Sequence, residues 1–367
     1  MKITDIKCYV LEHSAAETVY RWRDGLPIRG DGPPGTKVRS AILKVETDEG
    51  ITGSAGSRHG QYVASLVERR LKYFIGLDPL LTEYLWHRIW EVDRVEEFQV
   101  HTLGMLDIAC WDIKSQAAGM PVYKMLGGND PKVPAYASTV TWDTLEEYER
   151  HIKESMDEGF TAFKLHAWGR PKDDAILSRK LREWTGDDAD LMFDGSAGWD
   201  YATSLKFGRV LEDLDFLWYE EPMREFDIPS YAELCRSLDI PVLAAETSDG
   251  CHWNAATWIQ YRALDMMRVS SAFKGGITGA IKVAHLAESF GMRAQVHGGG
   301  PPNLQICAAI PNNDYFEALI IDTEQIKSLK DQSGPSVVDG FITAPETPGI
   351  GTQPDWAEVE QRAVRVV

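Results

Sequence analysis

Between residue 133 and about residue 321, eight short apolar runs recur, separated by longer segments whose apolar residues fall three and four positions apart. Strands joined through helices run in one direction, so this alternation calls for a parallel sheet. The runs are VPAYAS from Val133, AFKLHAW from Ala162, DLMFDGS from Asp190, FLWYEEP from Phe216, PVLAAET from Pro241, ALDMMRVS from Ala263, MRAQVHG from Met292 and YFEALII from Tyr315. Eight strands close a barrel filled by its own side chains. The segments LEEYERHIKESMDEG, DAILSRKLREW, YATSLKFGRVLEDL and GAIKVAHLAESFG have helical periodicity, and Gly159 and Gly291 end two of them. A doubly wound sheet is the competing architecture, but it normally has fewer strands and often opens with a glycine-rich phosphate turn.

The first 130 residues differ in kind. ITDIKCYVLE and VRSAILKVETDEGITGSAG alternate like antiparallel strands, with Asp48-Glu49-Gly50 as a hairpin turn, and helical patterns follow from Tyr62 to about Met125. The expected organisation is an α+β capping domain over residues 1–130 and a barrel over 131–335. A segment rich in proline and glycine, 336–367, is expected to pack back on the first domain. Residues 14–37 form a long loop containing Arg21, Arg23 and Arg29, and loops of that length in compact domains are usually functional or disordered.

A net charge of −18 argues against nucleic acid or an anionic membrane surface as partner, which leaves a small molecule. The five cysteines are scattered without metal-type spacing, and the start MKITDIKCYV has no apolar leader pattern. Reduced thiols in a cytoplasm are the expectation, as is a homo-oligomer.

Lys164 and His166 lie two apart in AFKLHAW, so a strand points both the same way, and burying them requires a polar site to receive them. Asp194, Glu220 and Glu246 stand at the ends of the third, fourth and fifth runs, each 26 residues after the last. Barrel chemistry gathers at those ends. Three converging carboxylates repel unless a cation neutralises them, and an all-oxygen donor set suits Mg²⁺.

WYEEP with an acid one unit before and one after, the lysine motif on the second strand, AFKGGITGAIK after the sixth, and His297 and Glu317 on the last two strands together resemble the mandelate racemase branch of the enolase superfamily. CWDIKSQAAGMPVYKMLGG and APETPGIG extend the resemblance over nearly the whole chain. It implies a capping domain over a (β/α)7β barrel and Mg²⁺ held by Asp194, Glu220 and Glu246, with Glu221 behind them. The chemistry it implies is removal of a proton alpha to a carboxylate, through an enediolate, by a lysine or histidine base.

Two departures from that pattern bear on mechanism. His166 occupies the position where a second lysine usually acts as base, and a histidine titrates near neutral pH without further tuning. Ser270 stands where an aspartate usually partners His297, which predicts that His297 lacks a fixed tautomer and some basicity. Lys164 is expected to be pushed toward the neutral form by its cationic neighbour. Glu317 resembles the acid that donates to the substrate carboxylate, so it is expected to be protonated. Arg21, Arg23 and Arg29, with Tyr20 and Trp22, suit a polyhydroxy carboxylate, and His59 and Trp168 are further candidates to line the pocket. The favoured reading is dehydration of a sugar acid to a 2-keto-3-deoxy acid. A racemase, epimerase or cycloisomerase is the alternative, and a non-catalytic binding protein that keeps the fold is a third reading.

Overall fold

The structure, a computed structural model, describes residues 1–15, 20–27, 35–96, 100–328 and 336–367. Strands β1 (Ile3–Ser14), β2 (Lys37–Thr47) and β3 (Thr52–Ser57) form the antiparallel start, and β1 pairs with β2 along its length, from Ile3 with Thr47 to Ser14 with Lys37. The turn at 48–50 needs Gly50, whose φ is +78°. Alternate residues Ile6, Cys8, Val10, Leu43 and Val45 point to one face. That face packs on helices α1 (Gly60–Arg69), α2 (Thr82–Glu96) and α3 (Val100–Ala118).

Each of the eight apolar runs contains a strand: β4 (Lys132–Thr139), β5 (Ala162–His166), β6 (Asp190–Asp194), β7 (Trp218–Glu220), β8 (Val242–Ala244), β9 (Met266–Val269), β10 (Arg293–Val296) and β11 (Phe316–Ile320). They form one parallel series in chain order from β4 to β10, and β11 returns to pair with β4, giving the α/β barrel beneath an α+β cap. The gap between β10 and β11 is bridged by the loop before β11, where Ala294 N donates to Asn312 O and Val296 N to Asn313 Oδ1.

The pleat sorts the interior into layers. Tyr136, Ala162, Met192, Trp218 and Leu243 form a buried apolar layer, with Met266 and Tyr315 against it. Two residues further along the strands, on the same face, come Ser138, Lys164, Asp194, Glu220, Arg268 and Glu317. The period of two thus places a polar layer directly on an apolar floor.

The final strands divide their pairing. β12 (Val337–Val338) and β13 (Phe341–Thr343) extend the barrel sheet through β4, whereas β14 (Ala363–Val366) pairs with β1 of the cap. Gly159 ends its helix at φ +93°, and a Cβ there would stand 2.7 Å from Asp339 Cα, just before β13. Among the described residues no helix is long and apolar enough to cross a membrane, and the five cysteines are free thiols.

Cap and barrel meet where α3 packs on the helix Gly276–Glu288. Asp107 accepts from Thr278 N at 2.9 Å and Thr278 Oγ1 at 2.6 Å, and Trp111 Nε1 donates to the same hydroxyl. Gly276 has φ +94°, and a Cβ there would lie 2.3 Å from Asp107 Oδ2. Complete burial pushes the Asp107 carboxyl up to about 7. An unfolded aspartate titrates near 3.9, so the native state keeps this proton to higher pH, and the associated stability is lost as pH rises from about 4 to about 7. Asp107→Asn is therefore expected to flatten the fall in stability over that window, by a few kcal/mol at most. Thermal melts of both proteins at half-unit pH steps measure it, and an unchanged slope would show that Asp107 titrates normally.

Candidate active site

The carboxylates of the third, fourth and fifth strands reach the barrel mouth because those strands end there. Asp194 and Glu220 are register partners at the ends of β6 and β7, and Glu246 follows the end of β8. The backbone turns sharply just past these ends. Ser196, Glu221 and Ala245 all have positive φ, at +46°, +44° and +72°, which costs each about 1 kcal/mol or more. Such strain concentrates where function fixes a side chain.

Lys164 is fully buried. Its Nζ donates to both Glu220 oxygens at 3.0 Å and to Asp194 Oδ2 at 3.3 Å, and lies 2.9 Å from Glu317 Oε1. Burial alone would lower its pKa, but Glu220 and Glu317 outweigh that and hold it well above the ordinary lysine value. The expectation of a lysine pushed toward neutrality is thus corrected: carboxylates surround it, and the neighbouring imidazole matters less.

Arg268, in the middle of the sixth strand run, was missed by the sequence reasoning. It is fully buried, with Nε 2.8 Å from Glu220 Oε1 and Nη2 donating to Glu317 Oε2 at 2.8 Å and to Tyr136 OH at 2.9 Å. Its signal was a lone cation inside the apolar run ALDMMRVS, one pleat period from both Met266 and Ser270. Arg268 also corrects the expectation for Glu317. Burial would raise that carboxyl, but Lys164, Arg268 and His297 hold it well below the usual carboxylate range, and Ser138 Oγ and Gly298 N donate to it. Glu317 is an ionised acceptor here and not a donor.

His166 Nε2 stands 2.9 Å from Asp194 Oδ2, and Nδ1 stands 2.6 Å from Thr139 O. The ring packs against Trp22 at 4.5 Å between centroids. Burial would raise Asp194, but His166 and Lys164 hold it below its ordinary range.

At the other end of the carboxylate row, His297 Nδ1 lies 3.0 Å from Glu246 Oε2 and 3.4 Å from Glu317 Oε2. Burial would lower this imidazole, but the two carboxylates raise it. The expectation of a histidine weakened by Ser270 is corrected, because the carboxylates of Glu246 and Glu317 lie against its Nδ1. Ser270 Oγ instead accepts from Ala272 N.

Glu220, Glu246 and His297 offer ligand atoms within 4.8 Å of one another, while Asp194 turns toward Lys164 and His166. Burial and neighbouring carboxylates push Glu221 well above the ordinary range, and burial raises Glu220 too. Negative charge is therefore crowded at the strand ends, and the donors of Asp194, Glu220 and Glu246 are all carboxylate oxygens. That set fits a hard divalent cation such as Mg²⁺. Glu221 Oε1 accepts from Glu246 N at 3.1 Å and so orients the fifth-strand acid.

The cap loop crosses the rim above these residues. Arg21 bonds Asp24 at 3.0 Å and Asp143 at 2.6 Å, and Arg23 donates to Ser196 O and Asp24 O. Thr141 N donates to Arg21 O, and Asp24 N to Trp168 O. Both arginines latch the loop to the barrel, and Tyr20 packs edge-on against Trp22. Arg29 lies outside the described residues. Trp168 is placed in the core: β5 ends at His166, so the alternation stops before it, and its Nε1 donates to Trp142 O while its ring meets Tyr148. His59 lines a cleft of about 860 Å³ between cap and barrel, together with Arg58, Tyr62, Ser271 and Phe273. Phe273 packs on His297, so this cleft adjoins the His297 side of the site.

The chain matches the family of mandelate racemase / muconate lactonizing enzyme N-terminal domains over residues 34–127 and the enolase C-terminal domain-like family over residues 147–359. A crystal structure of D-glucarate dehydratase from Agrobacterium tumefaciens complexed with magnesium is 33% identical, with a TM-score of 0.89 covering 100% of both chains. L-talarate/galactarate dehydratase of Salmonella typhimurium is 27% identical over 80% of this chain and 76% of that protein. A 3,6-anhydro-alpha-L-galactonate cycloisomerase of Streptomyces coelicolor is 27% identical over 88% of this chain and 91% of that protein.

Proposed function

Because the chain belongs to the mandelate racemase / muconate lactonizing enzyme branch of the enolase superfamily, we propose that it is an enzyme that dehydrates a sugar acid to a 2-keto-3-deoxy acid. The observation that carries this reading is the placement of one imidazole at each end of a carboxylate row, in unequal surroundings. His166 is dry, under Trp22, whereas the His297 side chain is 28% exposed and adjoins the open cleft. A base that must hold an alpha-proton belongs on the dry side, and an acid that is reprotonated at every turnover belongs on the side that water reaches.

In this reading Asp194, Glu220 and Glu246 hold Mg²⁺, which when bound supplies positive charge opposite the second negative charge that develops on the substrate carboxylate. His166 takes the alpha-proton. His297 gives a proton to the departing beta-hydroxyl, so that water leaves and the enol product rearranges to the keto acid. Lys164 contributes a fixed positive charge beside the substrate carboxylate, and Glu317 accepts hydrogen bonds at the barrel floor. Arg21, Trp22 and Arg23 hold the cap loop closed over His166, and His59 lines the substrate's distal end.

The substrate is a small acid sugar, with neither nucleic acid nor membrane as partner, in a cytoplasm that keeps the thiols reduced. Exposed Tyr73, Leu81, Tyr84 and Val95 on the cap support a homo-oligomer. The test is a screen of mono- and diacid sugars with Mg²⁺ for 2-keto product. Turnover of none, with exchange of the alpha-proton but no keto acid, would favour the racemase or epimerase reading, which two flanking imidazoles also permit.

A further inference from the structure

His297 opens the run HGGGPPN, and three glycines in a row carry no side chain that could hold the main chain behind the imidazole. Strand β10 ends at Val296, and the bond just past it runs from His297 N to Val269 O at 2.7 Å. Beyond it the chain turns through Gly298 and Gly300 with φ of +76° and +95°, which glycine adopts without steric cost. A run built this way has many conformations open to it, whereas a proton donor at its head needs one.

One side chain supplies the restraint. Asn303, buried in the first turn of the helix Pro301–Cys307, reaches back so that its Nδ2 lies 2.7 Å from His297 O, 3.1 Å from Gly298 O and 3.3 Å from Gly299 O, with Ser270 Oγ further off at 3.5 Å. The amide hydrogens are thus shared among three successive carbonyls. Its Oδ1 accepts from Ser271 N at 2.9 Å and Ser271 Oγ at 2.8 Å, just past the end of β9. Carbonyls only accept and a main-chain N–H only donates, so the amide sits one way round. A carboxylate has no hydrogens to offer the carbonyls, and an aliphatic side chain has neither group. Gly298 N donates to Glu317 Oε2 at 2.7 Å, so the glycine run is fixed from both sides. Asn303 borders the cleft described above, but both ends of its amide are taken up by the protein.

We propose that Asn303 is a positioning residue for His297: by tying three carbonyls of a glycine run to the end of β9, it keeps the imidazole where it can reach the departing beta-hydroxyl. The proposal rests on the reading of His297 as the acid.

Asn303→Leu removes both ends of the amide without adding charge. Asn303→Asp keeps the shape and the acceptor for Ser271 while withdrawing the hydrogens, and it carries the test if the first variant does not fold. With a sugar acid that the screen identifies, each folded variant is expected to form keto acid about tenfold to a hundredfold more slowly, the scale set by misplacement of a reacting group. Exchange of the alpha-proton in D₂O and KM are expected to stay within about twofold, because the base lies on another strand. Independently of activity, hydrogen–deuterium exchange read by mass spectrometry is expected to rise about tenfold in peptides spanning 297–300, the scale of one hydrogen bond lost, and to stay unchanged across β5. Parental keto-acid formation in a folded variant, whatever its amide exchange, would overturn the proposal while leaving His297 as the acid. Equal slowing of alpha-proton exchange and keto-acid formation would also overturn it, since that is a general loss of structure. Keto acid at the parental rate in His297→Asn would overturn the reading and the proposal together.

Discussion

Asp194→Asn and Glu246→Gln are expected to bind Mg²⁺ more than about a hundredfold more weakly than the parent chain, a loss beyond that of a merely supporting partner. Their turnover is expected to fall by about a thousandfold or more, since the stabilisation lost is several kcal/mol. Both are expected to remain folded. Titration calorimetry and steady-state rates at limiting Mg²⁺ measure this, and parental affinity in either variant would remove that residue from the metal site. Glu220→Gln behaves differently, because Glu220 also lies between two fully buried cations, Lys164 and Arg268. Breaking a buried ion pair from one side costs about 3–5 kcal/mol, so this variant also melts at a lower temperature. Glu221→Gln is milder, since Glu221 reaches the site through the Glu246 N–H.

The two histidines separate in D₂O. His166→Asn is expected neither to exchange the alpha-proton nor to form keto acid, with losses of about 10²-fold to 10⁴-fold, the usual range for a positioned base. His297→Asn is expected still to exchange the proton but to form keto acid slowly, because the base survives and the acid is missing. A racemase would behave otherwise: each variant would lose exchange from one enantiomer only, and the parent would accumulate no keto acid. Mass spectrometry of recovered substrate together with a keto-acid assay distinguishes the two patterns.

The eight strands were legible because each is a short apolar run bounded by helical periodicity, and the acids at 194, 220 and 246 were legible because one strand–helix unit separates them. What failed was electrostatics across the barrel. Along its strand Lys164 has only His166 as a charged neighbour, whereas the closest charges to it come from β7 and β11, distant in sequence. Arg268 sat unexplained in a strand, and without it Glu317 looked like a buried acid that would keep its proton. The alternation that would point Trp168 into the pocket stops where the strand ends, at His166. The hydrogen bonds that latch Arg21 and Arg23 to the barrel rim connect loops from different units, and no local pattern encodes them.

The pairing of β14 with β1 bears on how such a chain is made. Tyr9 lies beside Val366, and Cys8 exchanges main-chain hydrogen bonds with Val367. The whole barrel lies between β1 and its covering strand in sequence, so the outer edge of β1 leaves the ribosome well before that strand. At about 5–20 residues per second, that edge waits tens of seconds for its neighbour. During that interval it offers unpaired amides to any other extended chain.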